Sequence, residues 1–255
     1  MQNHLLLILA CLIVFLFWVY LNRVIIPRVK GEIGEFWIAK RLNRLSSNDY
    51  IVLNDVLLKI GKASTQIDHI VIAKSGLFIL ETKNYKGWIH GHENSTYWKQ
   101  TIFKKQFKFQ NPIIQNRSHV FYLKQVLRDF PQIDYFPIVV FSERAVLKNV
   151  TTWTPVIYSR ELIQTIKNLN SEHNLTYEQM SKISVRLNGL RMHGGRDRKE
   201  HIRTIRNKNI IETKSSDSRI CPRCGSQLRL RKGRLGEFFG CASYPACTYT
   251  ENIRF

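Results

Sequence analysis

Acidic residues are scarce in this chain. Only 19 aspartates and glutamates stand against 39 lysines and arginines over 255 residues, a formal charge of +20. That imbalance argues against basic partners and favours polyanions: DNA, RNA or the anionic face of a membrane. Cysteine is equally sparse until the end. One of the five, Cys11, lies in an apolar block, and the other four fall within the last 35 residues. There is no dispersed cysteine framework for a disulfide-stapled fold, so on a cytoplasmic body the cluster reads as metal ligands. Internal repeats are absent. An apolar content of 44% excludes disorder for the bulk of the chain and allows one main domain plus something smaller.

Long uncharged apolar runs number just one, "LLLILACLIVFLFWVYL" from Leu5 to Leu21. Its 17 residues sit at the lower limit for a spanning helix, and Trp18 and Tyr20 mark one end as interfacial aromatics would. No basic n-region precedes it and no A-x-A site precedes Arg23, which disfavours a cleaved signal peptide. Arg23, Arg28 and Lys30 follow at once. The expectation is a single-pass anchor over residues 1–22 in the inner or plasma membrane, with the C-terminal body in the cytoplasm.

Residues 22–30 read as a short basic linker with Pro27, and "GEIGEFWIAKRLNRL" from Gly31 as a helix with an apolar stripe. Strands follow at 50–58, across "QIDHIVIAKSGLFILETK" and near Trp88. A segment from about Thr101 to Phe130 has helical periodicity, interrupted or restarted near Pro112. "FPIVVFS" is a buried strand, a short strand lies near Val156, and helices begin at Ser159 and Thr176. The sum is α/β, a mixed sheet with helical cover in the order αβββαβ.

The hairpin holds the chemistry. A two-residue loop at Lys74 and Ser75 pairs residue 73 with 76 and sets Asp68 opposite Glu81, with Lys83 on the same face. Facing carboxylates repel in an ordinary sheet, and a divalent cation between them reverses the sign. Oxygen ligands of this kind suit Mg²⁺ or Mn²⁺. On pattern alone, a lysine that merely neutralises the two acids is the other reading.

The stretches "GEIGEFWIAKRL", "QIDHIVIAKSGLFILETKNYKGWIHG" and "NPIIQN", in that order, resemble the nuclease-related domain (NERD) family of the PD-(D/E)xK nuclease superfamily. The resemblance covers about residues 30–150 and implies a restriction-endonuclease-like fold. It implies that Asp68 and Glu81 bind a catalytic cation, that Lys83 serves the water, that Glu35 completes the metal shell, and that the Gln115 amide contacts the site or the DNA backbone. Ile67 stands where the superfamily's naming proline would be. His69, pointing to the opposite face from Asp68, reads as structural.

Cys221, Cys224, Cys241 and Cys247 give C-x2-C, sixteen residues, then C-x5-C. Two local thiolate pairs make a closed tetrahedral site, so this zinc is structural. The segment also resembles the C4 zinc fingers of bacterial type IA topoisomerases. That resemblance implies single-stranded DNA binding, with Phe238, Phe239 and Tyr244 as stacking platforms and Arg229, Arg231, Lys232 and Arg234 as phosphate contacts. The expected organisation is anchor 1–22, nuclease-like domain 30–150, a trailing strand and helices 151–190, basic linker 191–218 and zinc ribbon 219–255. The expected function is a membrane-anchored, Mg²⁺-dependent DNA endonuclease. The alternative is a non-catalytic nucleic-acid tether at the membrane.

Overall fold

The computed structural model describes residues 2–252 apart from 61–62, 131, 192–219, 222 and 234–235. The basic linker 191–218, save Arg191, and the candidate phosphate contact Arg234 therefore lie outside the described residues, as does the side chain of Lys232. A helix α1 (Gln2–Tyr20) passes through a π-helical turn, Leu21–Ile25, directly into α2 (Ile26–Leu42). Pro27 occupies the first turn of α2. The π-turn just before it, with the Ile26 N–H bonded to the Leu21 carbonyl, carries the helix into Pro27, so the expected linker is helix instead. Among the described residues no helix is long and apolar enough to cross a membrane. The side chains of residues 2–10, the first half of the expected anchor, lie outside that set.

The central sheet runs β1 (Tyr50–Ile60), β2 (Ala63–Ala73), β3 (Gly76–Lys83), β7 (Tyr135–Phe141), β9 (Val156–Tyr158) in spatial order. The first three strands are antiparallel, and β7 then joins β3 in parallel. The crossover between them includes α3 (Pro112–Val126). Strand β3 is buried throughout from Gly76 to Glu81, as a strand covered on both faces must be. Leu123 of α3 and Met180, Ile183 and Leu187 of α5 (Tyr177–Gly189) pack on one face. Ile38 and Leu42 of α2 and Leu162 and Ile166 of α4 (Leu162–Asn168) pack on the other. The expected αβββαβ core is present.

A second sheet, in spatial order β6-β5-β4-β8, differs from expectation. Its strands are β4 (Gly87–His92), β5 (Tyr97–Ile102), β6 (Lys105–Gln110) and β8 (Ala145–Thr151). The helical reading of 101–110 is thus corrected to strand, and helix begins only at Pro112. Phe107 and Phe109 lie two apart between the polar Gln106, Lys108 and Gln110, which is the period of a strand. Asn111 ends the hairpin. Its Oδ1 accepts from the Ile113 N–H at 2.9 Å, and Pro112 follows in the first turn of α3.

Candidate active site and zinc centre

The hairpin register is as expected near its turn, with Ala73 opposite Gly76 and Ile70 opposite Ile79. It stops at His69 opposite Leu80, so Asp68 and Glu81 are not a ladder pair. Ile67 and Ile70, three residues apart, pack in the same core cluster, which strict alternation forbids. Across the sheet Asp55 has a φ of 51°. This local irregularity opens β2 away from β3 and leaves an N–H on β3 without a strand partner. Asp68 takes it: the Thr82 N–H donates to Oδ2 at 2.7 Å.

Asp68, Glu81 and Lys83 line one cavity of about 410 Å³ together with Glu35, Lys86, Gln100 and Arg144. Glu35 arrives from α2. A Cβ at Gly34 would sit 2.6 Å from the Asn84 Cβ, so only glycine lets that helix turn approach the end of β3. Glu81 is buried. The Lys83 Nζ donates to its Oε1 at 2.5 Å, and His119 Nε2 of α3 meets its Oε2 at 3.1 Å. The other ring nitrogen of His119 is 2.8 Å from the Thr65 hydroxyl, which fixes the imidazole.

The electrostatics divide the two acids. Burial first, then the charge of Glu81 and to a smaller degree Glu35, push Asp68 up to about 8. Burial would raise Glu81 too, but Lys83 and His119 outweigh it and hold Glu81 at about 2. Burial opposes the charge on Lys83, yet Glu81 keeps its pKa above the usual lysine value. The site therefore holds one ionised and one protonated carboxyl near neutral pH, with the lysine charged. Carboxylate oxygens with an acidic third neighbour suit a hard divalent cation, which would neutralise the repulsion felt at Asp68. His69, by contrast, is buried with Nδ1 2.8 Å from the Asn54 Oδ1, and burial lowers it to about 4, as a structural histidine requires.

At the C-terminus, β10 (Leu228–Gly233), β11 (Gly236–Cys241) and β12 (Thr250–Asn252) form a small sheet. All four thiols are free and buried. The Sγ atoms of Cys221 and Cys247 are 3.7 Å apart, and those of Cys224 and Cys241 are 3.3 Å apart. All four lie within 4.8 Å of one another. A tetrahedron with Zn–S of about 2.3 Å has sulfur–sulfur edges of about 3.8 Å, so the cage fits zinc. Among the described residues it is the one group of three or more such side chains this compact.

The model of the nuclease-related domain family matches residues 30–142, and that of the topoisomerase DNA-binding C4 zinc finger matches 218–254. An uncharacterized protein of Bacillus anthracis is 32% identical over 187 residues, covering 72% of this chain and 87% of that protein. The chain belongs to the nuclease-related domain family. DNA topoisomerase 1 of Methanocaldococcus jannaschii is 56% identical over 43 residues, 17% of this chain and 6% of that enzyme. DNA topoisomerase 1 of Campylobacter jejuni is 50% identical over 34 residues, 13% of this chain and 5% of that enzyme. Both of these likenesses cover only a small part of the topoisomerases. No solved structure matches the chain.

Within the nuclease-related domain, four expected residues share the cavity: Glu35, Asp68, Glu81 and Lys83. Gln115 does not. Its amide oxygen is buried without a hydrogen-bond partner, and His119, one helical turn later, makes the contact to Glu81 instead. The spacing of four on α3 was the available signal for His119. Arg144, just beyond β7, and Lys86 were not anticipated either. In the ribbon, Phe239 is partly buried and packs against the cysteine cluster. Tyr244 is exposed, with the Arg231 guanidinium 5.7 Å over its ring. Phe238, opposite Arg231 on the neighbouring strand, lines a cavity with them. The ribbon also seats on the nuclease-related domain: Phe121 of α3 packs against its cysteine cluster.

Proposed function

We propose that this protein is a membrane-anchored, metal-dependent DNA endonuclease whose zinc ribbon adds nucleic-acid grip. The observation that carries it is the convergence of Glu35, Asp68, Glu81 and Lys83, from three separate elements, on one cavity. Asp68, Glu81 and Glu35 would hold Mg²⁺ or Mn²⁺, which when bound supplies Lewis-acid polarisation and an activated water for attack on phosphorus. Asp68 would have to give up its proton to act as a ligand. Lys83, whose charged amine lies beside the acids, would stabilise the developing charge on the phosphoryl oxygens. His119 remains on Oε2 and keeps Glu81 oriented. Arg144 and Lys86 at the cavity wall attract the scissile phosphate.

For the anchor, support comes from Leu12 to Trp18, whose large side chains stand exposed on every side of α1. A helix apolar all round has no solvated face to offer. At about 1.5 Å per residue, the 17-residue apolar run Leu5–Leu21 reaches about 26 Å, at the short end of what a hydrocarbon core requires. The basic trailing flank supports a cytoplasmic body. For the ribbon, support comes from Tyr244, Phe238 and Arg231 around one cavity, a stacking surface suited to single-stranded DNA. The domain plan keeps the nuclease-like unit at 30–150, a trailing part at 151–190, the basic linker at 191–218 and the ribbon at 219–255.

A non-catalytic tether is the second reading, and one observation favours it: both oxygens of Glu81 already have partners in Lys83 and His119. A plasmid assay of the full chain in detergent, with Mg²⁺ or Mn²⁺, separates the two. Nicked circles from the parent and none from Asp68→Ala or Glu81→Ala support the nuclease. Equal cutting by matched, contaminant-controlled preparations of all three would remove these residues from catalysis and put the tether first.

A further inference from the structure

The hairpin of β5 and β6 is built at a cost that the fold does not explain. Its fourteen residues, 97–110, carry Lys99, Lys104, Lys105 and Lys108 and no acid. Lys99 lies directly opposite Lys108. Like charges in that position destabilise a sheet, and among the described residues none of the four lysines has an ion-pair partner. At the tip, Phe103 is 93% exposed. It is also the first residue of a two-residue loop and has a φ of 54°, a place where hairpins favour glycine. A bulky aromatic that is both fully solvated and in the left-handed region is held against two preferences at once.

The arm is anchored at its base. Trp98 at its base is fully buried, stacked parallel to Phe141 at 6.2 Å. A Cβ on Gly91 would lie 2.1 Å from the Trp98 ring, so the indole rests on bare backbone. Further along, Gln100 and Ile102 line the cavity that contains Asp68, Glu81 and Lys83, and Phe103 is the next residue in the chain. By cross-strand pairing Lys105 shares the cavity-facing side of the arm with Gln100 and Ile102, while Lys99 and Lys108 stand together on its other side, so charge flanks the arm on both faces.

We propose that this hairpin grips duplex DNA beside the cavity, its lysines on backbone phosphates and Phe103 wedged between stacked bases. The proposal rests on the nuclease reading and supplies its substrate class: a duplex deformed at the cut site. A two-stranded ribbon fits a DNA groove, and apolar wedges at base steps are a recurrent way to kink a duplex. Lysines also protect sheet edges from unwanted pairing, which accounts for Lys105 and Lys108 on β6 but for neither Lys99 on the inner strand nor Phe103. An anionic lipid surface would suit an exposed phenylalanine with lysines at the tip. It does not call for a lysine pair at mid-arm or for Lys105 on the side that borders the carboxylate cavity.

The test uses the full chain in neutral detergent and a short duplex carrying 2-aminopurine, whose fluorescence rises when it is unstacked. The parent should bind and brighten the probe. Phe103→Gly should lose the brightening and about tenfold in affinity, the scale of one stacking contact. Its melting temperature should hold or rise, because glycine is at ease at that φ. Replacing all four lysines by glutamine should lower the slope of log K against log salt by up to about 3.6. Parent-like binding, salt slope and fluorescence in both variants, with the parent still cutting DNA, would overturn the hairpin's role alone. A parent that neither binds nor cuts DNA would overturn the nuclease reading with it. Loss of binding to phosphatidylserine vesicles with DNA binding intact would reassign the arm to the membrane and overturn the proposal.

Discussion

Asp68 enters the fold with a proton that it would not hold in water. Its pKa rises from 3.8 to about 8, whereas Glu81 is held at about 2 and stays ionised throughout the range that follows. Folded protein without a cation therefore binds a proton at Asp68 between about pH 4 and 8 that the unfolded chain does not. Its stability contribution is full below pH 4 and is lost as pH rises through 8, on the order of 1 kcal/mol per pH unit across that window. A cation held by Asp68 must displace that proton. With a pKa of about 8, the site should release about 0.9 protons per Mg²⁺ at pH 7, about 0.5 at pH 8 and about 0.1 at pH 9. Apparent affinity should tighten by up to tenfold per unit between pH 6 and 8 and level off above. Calorimetric titration of Mg²⁺ into the zinc-loaded protein, repeated in buffers of different ionisation enthalpy, counts these protons. Asp68→Asn should bind Mg²⁺ weakly and release none. Proton release near zero at pH 7 by the parent, alongside tight binding, would refute the protonated Asp68 and with it the burial argument.

Lys83→Ala should bind Mg²⁺ at least as tightly as the parent, because the amine 2.5 Å from Glu81 no longer competes for that oxygen. Its single-turnover cleavage should nevertheless slow by roughly 10² or more; equal rates would return Lys83 to a purely neutralising role. His119→Ala should raise the Glu81 pKa and reduce cleavage less than loss of either acid, read from the acid limb of the pH–rate profile. Metal analysis should count one zinc per chain, and truncation before Cys221 should weaken DNA binding more than the chemical step. Finding four reduced, folded thiols without zinc would sink the structural-zinc assignment. Protease added to intact cells should spare the body and should digest it in inside-out vesicles.

How much of this was legible depended on whether local pattern or tertiary geometry decided each feature. The turn at Lys74 and Ser75, the burial of the second half of β7 and the helix start at Thr176 follow from rules that act within a few residues, and all were readable. The cysteine cage was readable because ligand spacing is itself the local rule. Failures came where two elements meet. Asp68 and Glu81 were expected to face each other across an ideal ladder, yet β2 breaks its alternation near Asp68, and the acid reaches the Thr82 N–H in place of a strand partner. Nothing in "QIDHIV" announces that break, because its other half is Asp55 on β1, thirteen residues earlier. The same holds for His119, which matters only because α3 packs over β3 and carries the imidazole to Glu81. Gln115 was favoured by resemblance, but a helix presents a residue to a site by its angle, and one turn further along the same face is the position that reaches. The β5–β6 hairpin was misread for a different reason. A long window averages a period of two into noise, and an exposed arm with lysines facing one another lacks the apolar stripe that sequence reading seeks. A segment whose residues serve a partner rather than a core is hidden from rules derived from burial, which makes its violations of those rules the place to look for the partner.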